Sequence, residues 1–132
     1  MIKTIDIAVS GQGLYDISAP VSAAIEMEEG LCTLFIRHTS ASLLIQENYD
    51  PTAKLDLERW LDKLVPEDDP DYTHLIEGPD DMPAHIKSAL TSTSLSIPVM
   101  ARSLMLGTWQ GIFLWEHRHQ SRVRQIIIHM DE

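Results

Sequence analysis

The stretch Gly107-Thr108-Trp109-Gln110-Gly111-Ile112-Phe113-Leu114-Trp115-Glu116-His117-Arg118 decides how this chain is read. Gly107 and Gly111 mark a turn, and the four apolar residues Ile112 to Trp115 that follow show no polar alternation. A short apolar run bounded by turn residues is a buried strand. It ends by presenting an acid, an imidazole and a guanidinium together, in Glu116, His117 and Arg118. Side chains displayed where an element stops are the usual carriers of function.

Working outward from that strand, Val123 to Met130 reads as an Ile-rich last strand. On the other side, Leu104 to Leu106 continues from a turn, and Leu95, Ile97 and Val99 alternate with Ser94, Ser96 and Pro98, a strand that Pro98 places at an edge or an end. Ala84 to Leu90 predicts a helix, with Asp80 or Asp81 as its cap and Pro83 in its first turn. Thr52 to Leu64 predicts a second helix, because Leu57, Trp60, Leu61 and Leu64 form an i, i+3, i+4, i+7 stripe. Ala41 to Gln46 reads as a strand. Leu31 to Arg37 is nearly continuous apolar sequence and predicts a central strand buried on both faces. Ser18 and Pro20 open a further helix with a Val21, Ala24, Ile25 stripe, ended by Gly30. Leu14 to Ile17 and the alternating Lys3 to Val9 complete the strands. The sum is one compact α+β domain over residues 1–132, with a mainly antiparallel sheet of about seven or eight strands and two or three helices.

A chain of 132 residues with 44% hydrophobic and 23% charged residues is long enough for one real core and too apolar for disorder. The net charge of −10 argues against nucleic acid as a partner. Nearly all of that excess lies between Glu47 and Asp81, where twelve acids face three bases, whereas Ala101 to Gln125 holds four arginines and one acid. No apolar run approaches the ~20 residues that span a bilayer, and the N-terminus has no signal-peptide pattern. A single cysteine, Cys32, excludes an internal disulfide and fits a cytoplasmic location.

Six histidines carry most of the potential chemistry. His38 stands where an apolar strand stops, His74 and His85 bracket the turn holding Asp80 and Asp81, and His117 and His119 follow Glu116. His129 lies near the C-terminus and is set aside. Imidazoles and carboxylates suit zinc, iron or manganese, but no pair here has the tight helical spacing of an H-E-x-x-H site. His38, His74, His85 and Glu116 stand out because each sits at an element boundary. Asp80 and Asp81 read first as helix caps and second as cation ligands. Thr39, Ser40 and Ser42 read first as turn formers, with a Ser–His nucleophile pair as the alternative. Arg118 and Arg122 either neutralise the acidic surface or bind phosphate. Trp109 and Trp115 read as core or subunit-interface residues.

Several segments in collinear order resemble the YjbQ-like family, also described as secondary thiamine-phosphate synthases. They are His38-Thr39-Ser40-Ala41-Ser42, Glu47-Asn48-Tyr49-Asp50-Pro51-Thr52, His74, Asp80-Asp81-Met82-Pro83-Ala84-His85-Ile86-Lys87-Ser88, and Leu106-Gly107-Thr108-Trp109-Gln110-Gly111-Ile112 with Glu116. The chain departs from many members where Asp80-Asp81 replaces an Asn-containing turn. It departs again where His117-Arg118-His119 follows the family glutamate. The resemblance implies a homotrimer with a polar cleft containing the histidines, and a thiamine-phosphate synthase activity that is not its only role.

Two chemistries follow. In the first, a pyrimidine-methyl pyrophosphate joins a thiazole phosphate and expels pyrophosphate. His38, His85 and Glu116 are then the catalytic candidates. Thr39, Ser40, Asn48, Lys87, Thr108, Gln110, Arg118 and Arg122 are the candidates for binding the small phosphorylated substrate. In the second, His38, His74, His85, Asp81 and Glu116 hold a divalent metal (Zn, Mn or Mg) for a hydrolase or lyase acting on a small phosphorylated or acylated molecule. A non-catalytic small-molecule binder is the remaining alternative.

Overall fold

Strand alternation and the turn glycines produce eight strands and three helices over residues 1–132 of the computed structural model. In chain order they are β1 (Ile2–Val9), β2 (Gly13–Asp16), α1 (Ser18–Ala24), β3 (Glu29–Ile36), β4 (Ala41–Glu47), α2 (Pro51–Leu64), α3 (Asp81–Leu90), β5 (Ser94–Met100), β6 (Ser103–Leu104), β7 (Gln110–Glu116) and β8 (Arg122–Asp131). They form a five-stranded sheet ordered β1-β8-β3-β5-β6 and a three-stranded sheet ordered β2-β7-β4. Every pairing is antiparallel. The expected α+β domain is therefore what forms, with its strands divided between two sheets.

The larger core cluster, 17 buried residues, lies between the sheets. Cys32, Leu34 and Ile36 of β3 and Ile126, Ile128 and Met130 of β8 meet Leu43 of β4 and Ile112 and Leu114 of β7 there. A second cluster of five, Leu14, Leu61, Val65, Phe113 and Trp115, fills the other face of the small sheet, under α2. Strand β7 is thus covered on both sides and is buried from Gly111 to Glu116. Its even residues face the large sheet and its odd ones face the helical layer, so alternation is lost although the strand is regular.

Strand β3 departs from expectation. Cys32, Leu34 and Ile36 are buried, but Leu31 and Phe35 are exposed on the outer face of the large sheet, which no helix covers. In α2, Leu61 is buried and Leu57 is half-buried, while Trp60 and Leu64 stay exposed, because only a narrow edge of that helix meets the small sheet. Helix α1 is shorter than expected, and Ser18 does not cap it. Its hydroxyl accepts from Ile112 N (2.9 Å) and so ties α1 to β7. Gly111 is required for close approach, since a Cβ there would lie 2.9 Å from Asn48 Cβ.

Candidate functional site

Helix α3 begins at Asp81, and its first two turns carry the site. Asp81 and His85 are one turn apart and share a face of the helix. Asp81 Oδ2 lies 2.9 Å from His85 Nε2 and 2.7 Å from His74 Nε2, which comes from the preceding loop. Glu77 Oε2 stands 3.8 Å from the same His74 nitrogen. The donor atoms of His74, Glu77, Asp81 and His85 all lie within 4.8 Å of one another. Glu77, Asp81 and His85 recur every four residues, a spacing that marks Glu77 even though it precedes the helix and was not among the expected ligands.

Neither aspartate caps α3 through its side chain, contrary to expectation. Both turn to Arg118, which leaves β7 and reaches back across the helix start. Arg118 Nε donates to Asp80 Oδ2 (2.9 Å), Nη1 to Asp81 Oδ1 (2.5 Å) and Nη2 to the Glu77 carbonyl (2.9 Å). His119 N adds a donor to Asp80 Oδ2 (2.9 Å). Burial pushes the Asp80 carboxyl up, but the Arg118 and His119 hydrogen bonds outweigh it and hold it below the usual range. For Asp81, burial acts in the same direction and is outweighed by the hydrogen bond from His74 and the charges of His85 and Arg118.

The tautomer of His85 is set on its far side. His85 Nδ1 lies 3.0 Å from the Thr39 carbonyl, which can only accept, so the ring proton is there. A neutral His85 therefore aims its Nε2 lone pair at Asp81 Oδ2, an acceptor facing an acceptor at hydrogen-bond distance. A cation must lie between them, either a proton on the ring or a metal. Two imidazoles and one or two carboxylates fit zinc or manganese, and a carbonyl behind the ring that fixes its tautomer is the usual companion of such a site. Magnesium, which prefers oxygen ligands and keeps its waters, fits less well.

The expected site residues do not all come together. His74, Asp81, His85 and Arg118 come together as described. His38, Thr39 and Ser40 line an open cavity of about 610 Å3 with Phe35, Arg37 and Arg124. His38 Nε2 accepts from Gln125 N (2.9 Å), so a neutral His38 carries its proton on Nδ1 and can donate but has no free lone pair. Burial lowers its pKa, aided by the Arg124 charge. Lys87 points the other way, to Asp62 Oδ1 (2.6 Å). Asn48, Thr108 and Gln110 sit at the start of β7, ~20 Å of strand from Glu116, and within the chain they do not meet the histidines. Arg122 donates to Gln120 Oε1 (3.2 Å), while its Nε is closed off without a partner.

Glu116, expected as metal ligand or base, is fully engaged elsewhere. Arg124 grips it with Nε on Oε1 and Nη2 on Oε2 (2.5 Å each), and Oε2 also accepts from the amides of His117 and Arg118 (3.0 Å each). Arg124 further donates to Ser40 Oγ (2.9 Å). The sequence does signal this pair, since Arg124 falls in phase with the inward Ile126, Ile128 and Met130 of β8. A charge on the core face of a strand demands a buried partner.

Residues 3–132 match the sequence pattern of the family described as UPF0047 protein YjbQ-like. The chain belongs to the YjbQ-like UPF0047 family. It is 51% identical over 127 residues to a UPF0047 protein of Synechocystis sp., covering 94% of this chain and 86% of that one. It is 45% identical over 129 residues to the YjbQ protein of Salmonella typhimurium, covering 95% and 93%. A conserved hypothetical protein from Thermus thermophilus superposes with a TM-score of 0.90 at 35% identity, over 98% of this chain and 99% of that one. A YjbQ/UPF0047-family protein from Clostridium acetobutylicum gives 0.88 at 32% identity, over 98% and 99%. The YjbQ-like fold thus extends over nearly the whole chain, including both sheets and helix α3.

Proposed function

We propose that this chain is a metal-dependent enzyme acting on a small phosphorylated molecule, with zinc or manganese held by His74, Asp81 and His85. The observation that carries the reading is the opposition of His85 Nε2 and Asp81 Oδ2 at 2.9 Å, with the His85 proton committed to Thr39. A metal there would supply Lewis-acid chemistry toward a phosphoryl or carbonyl oxygen. Arg118 keeps Asp81 ionised and oriented, Thr39 orients His85, and exposed Glu77 stands at the rim as a fourth donor or a base. Thr39 also belongs to the His38 cavity, where Arg37, Arg124 and the His38 Nδ1 proton favour an anion such as a phosphate.

Elemental analysis of the purified protein should find about one zinc or manganese per chain, and His85→Ala should lose most of it, since losing a ligand costs more than the ~10–100-fold that losing only a ligand's hydrogen-bond partner costs. A phosphatase and esterase screen should show turnover that chelation abolishes. Absence of metal after reconstitution would sink the reading, and metal without turnover would leave a small-molecule binder. The thiamine-phosphate synthase chemistry implied by the family resemblance belongs to the same substrate class. The arginine-lined His38 cavity, suited to a leaving pyrophosphate, is what favours it. Product formed from hydroxymethylpyrimidine pyrophosphate and thiazole phosphate without any metal would replace the metal reading by this one.

A further inference from the structure

A second cleft lies on the opposite side of α3, lined by none of His74, Glu77, Asp81 and His85. Its outer part, about 470 Å3, is walled by Asp62, Glu67, Asp68, Lys87 and His119, and its inner part, about 200 Å3, by Glu58, Asp62, Lys87, Trp115 and His117. Gln12, Asp62 and Lys87 border both, so the two communicate.

The inner end is a set of unused donors. Lys87 is 3% exposed and gives one N–H to Asp62 Oδ1, which leaves two without an acceptor in the chain. His117 is 1% exposed, and its Nε2 lies 2.9 Å from Ser42 Oγ. The Ser42 hydroxyl is fully buried and has no other acceptor, so its proton goes to Nε2 and the ring proton sits on Nδ1. No group of the chain accepts from Nδ1. Arg122 Nε is the sole side-chain nitrogen or oxygen both sealed from solvent and unpartnered, so His117 Nδ1 opens onto the inner cavity. The acids on the inner wall are already engaged, Asp62 by Lys87, Glu58 by the Leu14 amide and Lys54, and Glu116 by Arg124, whereas the mouth carries freer acids. Asp68 has no cationic partner, and Glu67 shares His119 (2.5 Å).

We propose that this cleft binds a small zwitterionic amino acid, with its carboxylate on Lys87 Nζ and His117 Nδ1 and its ammonium between Asp68 and Glu67. A simple anion is repelled at the mouth, and a simple cation meets Lys87 inside. A molecule carrying both charges, with the negative end leading, satisfies both ends. The site is independent of the α3 cluster.

The test is a titration of the full-length protein by nuclear magnetic resonance, following the His117 ring and the Lys87 amide. Glycine, β-alanine and γ-aminobutyrate are the probes, with butyrate and butylamine as single-charge controls. At least one zwitterion should bind saturably, and the controls about tenfold or more weaker. Lys87→Met, which preserves the buried stem, should weaken binding roughly tenfold or more through loss of a charged hydrogen bond. Glu67→Gln with Asp68→Asn, both exposed, should abolish the preference for γ-aminobutyrate over butyrate. No saturable shift with any zwitterion overturns the proposal, as does unchanged affinity in folded Lys87→Met. If Lys87→Met does not fold, the mouth variant decides, and a preference that survives it is fatal.

Discussion

His117 is the side chain whose protonation this fold opposes most. Burial, then the nearby charges of Lys87 and Arg124, push its pKa down to about 3. In the unfolded chain the same imidazole titrates near its ordinary 6.5. The folded form thus binds the proton more weakly, so the group costs no stability above about pH 6.5, and the loss grows as pH falls toward 3. By linkage, it reaches up to roughly 5 kcal/mol once the pH is below both values. His38, also lowered, acts in the same direction. Comparing melting temperature against pH for the wild type and His117→Gln isolates the buried ring. The variant should show a flatter decline between pH 6.5 and 4, and parallel curves would mean that the ring is not held neutral. At the α3 site, Asp81→Asn removes the negative oxygen shared by both histidines and one arm of Arg118. It should abolish metal retention while far-ultraviolet circular dichroism stays unchanged, because Arg118 keeps Asp80 and the Glu77 carbonyl.

Between elements, the Glu116–Arg124 pair joins β7 of the small sheet to β8 of the large one, with Arg124 3% and Glu116 1% exposed. Glu116→Gln leaves a buried guanidinium without its counter-charge and should destabilise by ~3–5 kcal/mol, whereas Glu116→Leu combined with Arg124→Met should recover much of that. Urea unfolding measures both. A Glu116→Gln protein of native stability that has lost activity would return Glu116 to a chemical role. This pair also shows what the sequence could and could not tell. The apolar run Ile112 to Trp115 marked a buried strand, and alternation in β1 and β5 marked half-buried ones, because local periodicity records which face is covered. What local sequence does not record is how elements stack. Trp60 and Leu64 continue the apolar stripe of α2 yet face solvent, and Leu31 and Phe35 of β3 do the same. The site obeys the same limit. His74 and His85 stand out at element boundaries, whereas Asp81 reads first as a helix cap and Arg118 as a surface neutraliser or phosphate ligand. That Glu116 turns inward to Arg124 while Lys87 faces away from His85 depends on which sheet face each meets.

Across the whole molecule, the outer face of the large sheet is what the chain leaves unfinished. Phe35 and Ile127 are register partners on β3 and β8, while Leu31 pairs with Pro98 further back along β3, Met100 lies beyond them, and Val123 is further along β8. Phe35 is 48% exposed, Val123 58% and Met100 50%. No helix covers this face, although α2 and α3 cover the far face of the other sheet. It carries two apolar groups, Phe35 with Ile127 and Leu31 with Pro98 and Met100, separated by Thr33, Ser96 and His129, and we propose that copies of this chain associate through this face. The surface argues for self-association, and the family resemblance argues for three copies in a closed ring. Light scattering coupled to size exclusion should then give three chain masses at micromolar concentration. Phe35→Glu places a charge on the Phe35–Ile127 pair, at a position already exposed, so it should shift the protein to one chain mass without lowering the monomer's helix or strand content. The His38 cavity shares Phe35 with that face, so association would narrow its opening. Phe35→Glu should therefore also weaken phosphate binding measured by calorimetry, while metal content at His74, Asp81 and His85 stays constant. A wild-type protein that elutes as a single chain at micromolar concentration would leave the apolar face needing another partner and the His38 cavity open as it stands.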